Sequence, residues 1–139
     1  MTIRTLAVIL TLALAATACL EDQKTTSEAM LIKSAQLTKL SAAVESTVRY
    51  KNPPADLDEQ GLLQLATQHD PQLLENFAGL KLRVLAKDRH SVVLVCTPDG
   101  KRGLMEDAAC TVALDRHLWE DAKNPCEFTV DTATACPTP

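Results

Sequence analysis

Leu80-Lys81-Leu82-Arg83-Val84-Leu85-Ala86-Lys87-Asp88-Arg89-His90-Ser91-Val92-Val93-Leu94-Val95-Cys96 is the stretch whose reading decides the fold. Leu80, Leu82 and Val84 alternate with Lys81 and Arg83, the period of a strand with one buried face. Lys87-Asp88-Arg89-His90 turns the chain back. Val92 to Cys96 is a continuous β-branched and apolar run, which reads as the central strand of a sheet. Pro98-Asp99-Gly100 is the strongest turn signal in the chain and predicts a hairpin whose return strand holds Leu104 and Met105. Beyond it, Thr111 to Trp119 fits a strand followed by a helical turn, and Cys126, Phe128 and Val130 alternate as a final strand. The result is a small antiparallel sheet of three or four strands.

Upstream the period is helical. Thr25-Thr26-Ser27-Glu28 has the form of a capping box, and Met30, Leu37, Leu40, Val44 and Val48 share one stripe, so an amphipathic helix is expected from about Thr25 to Tyr50. Asn52-Pro53-Pro54 ends it. Lys33 falls within the stripe, which leaves two readings: the first turns project and packing begins near Leu37, or Lys33 snorkels at the core edge. A second helix is marked by Asp56-x-x-Glu59 and carries Leu62, Leu65, Ala66 and His69 on its apolar face. Asp70-Pro71 opens a third, with Leu73, Leu74 and Phe77, and Gly79 stops it. Helices that precede a sheet of hairpins describe an α+β domain, with amphipathic helices packed on one face. With one Trp, one Tyr and two Phe in 139 residues, its core must be mostly Leu, Val and Ala.

The amino-terminal segment has a different character. Arg4 precedes an apolar run, Leu6 to Ala16, of secretory-signal length, shorter than the about 20 residues a bilayer span needs. Ala16-Thr17-Ala18-Cys19 then satisfies the small-residue rule for cleavage before Cys19. The same four residues resemble the lipobox of bacterial lipoproteins, with Ala16 where that family usually has leucine. The resemblance covers the leader alone. It implies a signal peptide over 1–18, diacylation of Cys19, a tether over 19–26 and one domain over 27–139. Leu20, which is not the aspartate that retains such proteins at the inner membrane, implies a periplasm-facing protein anchored in the outer membrane. The alternatives are a soluble periplasmic or secreted product and one that uses Cys19 in an intermolecular bridge.

Five cysteines are present, and an odd number in an oxidising compartment leaves one without a disulfide. Lipidation of Cys19 leaves Cys96, Cys110, Cys126 and Cys136 for two disulfides. They contain no Cys-x-x-Cys pair, so they read as a structural framework and not as a zinc or thioredoxin motif. Of the three possible pairings, the preferred one joins Cys110 to Cys126, closing an irregular segment, and Cys96 to Cys136. The Thr/Pro-rich tail from about 131 would be loose without a bond through Cys136.

Catalytic signatures do not emerge. His69 reads as a core-edge residue and His90 as a turn residue. His117, in Asp115-Arg116-His117-Leu118-Trp119-Glu120-Asp121, has carboxylates nearby but no readable set of metal ligands or nucleophile. Glu106-Asp107 and Glu120-Asp121 lack the alternating oxygens and glycine of a calcium loop and read as surface charge. Trp119 reads as a core anchor for the segment between Thr111 and Pro125, with an exposed hot spot as the alternative. No catalytic residue, metal ligand or cofactor is assigned. A net charge of −4 argues against nucleic acid as a partner. The expectation is a non-enzymatic lipoprotein that uses its domain as a protein-binding or assembly module for an envelope partner. The alternatives are a periplasmic small-ligand or metal-binding protein using Asp115, His117, Glu120 and the acidic pairs Glu106-Asp107 and Glu120-Asp121, and an envelope hydrolase whose residues converge only in three dimensions.

Overall fold

The computed structural model describes residues 3–111, 114–115 and 124–136, with side chains over 27–111 and 124–136. The chain divides into two units, Met1–Ile32 and Lys33–Pro139. Helix α1 spans Ile3–Tyr50. It therefore passes through Thr25 instead of starting there. The Ala/Leu-rich run before it is strongly helix-forming, and extending a helix is easier than nucleating a new one. The proposed carboxyl end is borne out: Asn52 adopts a left-handed φ of 46° ahead of the two prolines. Arg89 Nη2 donates to the Arg49 carbonyl at 2.6 Å, satisfying one of the open acceptors at that helix end.

In the second unit, α2 is Glu59–Ala66 and α3 is Gln72–Glu75. The cap of α2 is Asp58, not Asp56: its carboxylate accepts from the Gly61 amide at 2.7 Å. Pro71 holds the N-cap position of α3 without a side-chain cap, so Asp70 contributes its carbonyl to that turn and not its carboxylate. Gly79, at φ 84°, turns the chain into the sheet.

The sheet has four antiparallel strands in the order β1 (Lys81–Lys87), β2 (His90–Cys96), β3 (Gly103–Asp107) and β4 (Leu114–Asp115). Asp88 and Arg89 both have positive φ, 52° and 63°, as a two-residue primed turn requires. Every residue of β2 is buried, in keeping with its central place. Leu37, Leu40 and Val44 of α1, Leu62 and Leu63 of α2, and Phe77 pack with Val84, Val93, Val95 and Met105 on one face of the sheet. Each such side chain contributes about 1.5 to 3 kcal/mol. Lys33 snorkels there: its Nζ donates to the Asn76 carbonyl and lies 5.5 Å from the centre of the Phe77 ring.

The opposite face, with Leu94 and Cys96, is covered by Cys126 and Phe128. This covering segment is not the strand its alternation suggests. Only an isolated bridge, Arg102 to Pro125, joins it to the ladder, and the amides of Thr129 and Val130 turn to a side chain instead. Helix α4, Thr132–Ala135, capped by Asp131, follows it. The disulfides are Cys96–Cys126 and Cys110–Cys136. The preferred pairing is thus corrected: Cys96 ends β2 on the covered face, where the Arg102–Pro125 bridge brings Cys126 alongside, and α4 carries Cys136 to Cys110. Replacing Cys96 and Cys126 together by alanine opens a link across 30 residues, and urea denaturation should show a loss of about 3 to 4 kcal/mol.

Candidate functional site

Among the described residues, three carboxylates that would ordinarily face water are buried. Glu45 of α1 is 6 % exposed, Glu106 0 % and Asp107 4 %. The acidic pair in β3 is therefore not surface charge. A buried carboxylate is tolerable only when its oxygens are filled by donors, and those of Glu106 and Glu45 are. Glu106 lies opposite Leu94, so it faces the carboxyl-terminal segment. It accepts from the Thr129 amide at 2.9 Å, the Thr129 hydroxyl at 2.5 Å and the Val130 amide at 3.0 Å.

Glu45 performs a similar task at the start of β2. Its Oε2 accepts from the amide and the hydroxyl of Ser91, at 2.6 and 2.9 Å. Its Oε1 stands 2.8 Å from His90 Nδ1. Because a carboxylate accepts, Nδ1 is the donor, and in the neutral ring Nε2 is then the nitrogen with a lone pair. His90, read from sequence as a turn residue, is 6 % exposed. A ring nitrogen of His90 and the sulfurs of Cys110 and Cys136 all lie within 4.8 Å of one another.

Asp107 is less well satisfied. Burial pushes its carboxyl above the ordinary 3.8, and a hydrogen bond from Ser41 opposes the shift. Glu59 behaves in the opposite way. Burial would raise it, but a two-pronged pair with Arg83, Nε to Oε2 at 2.9 Å and Nη2 to Oε1 at 3.0 Å, and the Val84 amide at 3.1 Å hold it below the ordinary 4.5.

The second feature is an open groove of about 380 Å³ along the outer edge of β1, lined by Pro53, Pro54, Leu57, Glu59, Leu62 and Ala86 among others. Leu57, 37 % exposed, forms a wall. It lies against Gly61, where a Cβ would come within 2.7 Å of it. Val84 turns its amide outward to Glu59, so by the two-residue period of the strand Leu82 and Ala86 also present their main-chain groups on the outer edge.

Among the other residues singled out in the sequence, His69 is exposed and pairs with Gln68, not with the core. The side chains of Cys19, Asp115, His117, Trp119, Glu120 and Asp121 lie outside the described residues. No family model, curated protein or solved structure matches this chain.

Asp107 and Glu59 have opposite signatures in stability. The folded state binds the Asp107 proton more tightly than the unfolded chain does, so that contribution is complete below pH 3.8 and is lost as pH rises through the elevated value. Asp107→Asn should therefore gain stability over wild type as pH rises towards neutrality. Glu59 stabilises above pH 4.5 and loses that contribution as pH falls. Glu59→Gln should be less stable at neutral pH, with the deficit shrinking in acid. Urea midpoints across a pH series test both.

Proposed function

We propose that this chain is a cell-envelope lipoprotein, anchored in the outer membrane through diacylated Cys19, whose folded body is a small protein-binding module. The observation that carries the anchoring is the cysteine balance. The two disulfides use Cys96, Cys126, Cys110 and Cys136, and of the five cysteines only Cys19 is left over, at the position the lipobox-like leader reserves for acylation. Two acyl chains hold a protein on a membrane stably, whereas one gives marginal binding.

The binding role rests on the groove beside β1. Glu59 occupies the Val84 amide, but past it the edge is open at Ala86, and Leu57 and Leu62 offer apolar contact. An open strand edge beside apolar walls takes an extended segment, with main-chain hydrogen bonds supplying affinity and the walls selecting a side chain. The partner is accordingly an envelope protein that offers a short extended segment with an apolar residue.

Intact mass of the protein from its native host tests the anchor. A diacylglyceryl addition on Cys19, with four other cysteines that label only after reduction, is expected. An unmodified Cys19, or labelling of the other four without reduction, overturns it. Photo-crosslinking residues at Leu57 and at Ala86 should yield the same protein adduct in the envelope, while one at exposed Glu127 should not. Adducts independent of position would remove the groove as the binding surface.

A further inference from the structure

Independently of the anchor and the groove, the cluster around His90 carries a second chemistry. We propose that His90, Cys110 and Cys136 form a latent zinc site, closed while the two cysteines are joined and opened when a dithiol reduces them. Three soft or borderline donors from three separate parts of the fold, the start of β2, the loop after β3 and the end of α4, lie within 4.8 Å of one another. Three ligands around Zn²⁺ at about 2.0 to 2.3 Å stand roughly 3.5 to 3.8 Å apart, so the two sulfurs, 2.01 Å apart while bonded, have to draw apart once the bridge is cut.

Three further observations favour a metal over an ordinary structural bridge. Glu45 fixes the His90 ring through Nδ1, the carboxylate–histidine arrangement that orients an imidazole and leaves Nε2 to the metal. Glu45 is itself held by the Ser91 amide and hydroxyl, so the ring is oriented before any ligand arrives. Thr132 Oγ1 is buried without a hydrogen-bond partner. It lies four residues before Cys136, whose amide donates to the Thr132 carbonyl, so both side chains share a face of that turn. A water in the fourth zinc position is a partner that this hydroxyl lacks.

The chemistry balances. A dithiol reductant attacks the disulfide and closes into its own disulfide, and the two sulfurs of Cys110 and Cys136 take up two electrons and two protons. Zn²⁺ then displaces both thiol protons to solvent. Two thiolates and a neutral imidazole around a dication leave no net charge, which suits a buried position. Cys110 is partly exposed and gives the reductant its point of attack. Cys96 and Cys126 lie in the apolar cluster with Leu94, and among the described residues no histidine joins them in a ligand set.

Cobalt(II) added anaerobically to the full chain, before and after treatment with a phosphine reductant, tests the site, with Zn²⁺ as competitor. A thiolate-to-cobalt absorption band is expected only after reduction, saturating at one equivalent and bleached by zinc. It should vanish in the Cys110→Ser, Cys136→Ser double variant and persist in the Cys96→Ser, Cys126→Ser one. Glu45→Gln should keep the band and weaken zinc binding about 10- to 100-fold. His90→Ala should alter the visible spectrum through loss of its nitrogen ligand. A reduced chain that takes up no cobalt, a band that follows Cys96 and Cys126, or equal affinity before and after reduction overturns the proposal.

Discussion

The carboxylate of Glu106 is the constraint on which the second half of the structure depends. It sits fully buried in β3, and the donors that make it tolerable there come from Thr129 and Val130. Removing those donors would leave a bare charge in the interior, a penalty of several kcal/mol that a chain of this size could not absorb. The carboxyl-terminal segment is thereby committed to the sheet without joining its ladder. The apolar cover over Leu94, the approach of Cys126 to Cys96 and the position of α4 all follow from that commitment.

The same carboxylate explains where sequence reasoning stopped. The sheet itself was legible because Val92 to Cys96 of β2 is apolar without interruption and the turns on either side carry strong local signals. The class, helices on a small antiparallel sheet, followed from those signals alone. Cys126, Phe128 and Val130 alternate as a strand does, yet their neighbouring amides serve Glu106. Reading that segment as a strand assigned its donors to a ladder, and Glu106 was then left to look like surface charge. The two errors are one error, since no local pattern announces a side-chain acceptor some twenty residues upstream.

Helix ends show a milder form of the same limit. Asn52 ahead of two prolines was a sufficient stop signal, because left-handed backbone and proline each act locally. At α2, by contrast, the Asp56-x-x-Glu59 spacing points to Asp56, but the cap falls to Asp58, whose carboxylate takes the Gly61 amide while Glu59 is drawn away to Arg83 and Val84. His90 was hidden for a related reason. A histidine beside a turn is usually wet, and only its distant contact with Glu45 shows that this one is dry and oriented. His69 erred in the other direction, since helical spacing put it on an apolar face that the short α2 ends too soon to extend.

The two disulfides interleave along the chain: the first cysteine of the folded domain joins the third, and the second joins the fourth. A polypeptide that oxidises as it emerges, amino end first, brings Cys96 and Cys110 together before Cys126 exists as a partner. Its earliest bridge is therefore a wrong one. Native connectivity requires either that the thiols stay reduced until the sheet has formed or that thiolates reshuffle the first bond, a process of seconds to hours unless an isomerase assists. Maturation of this domain is accordingly a problem of timing, and its yield in any host depends on the balance between oxidation and bond exchange as much as on the stability of the finished fold.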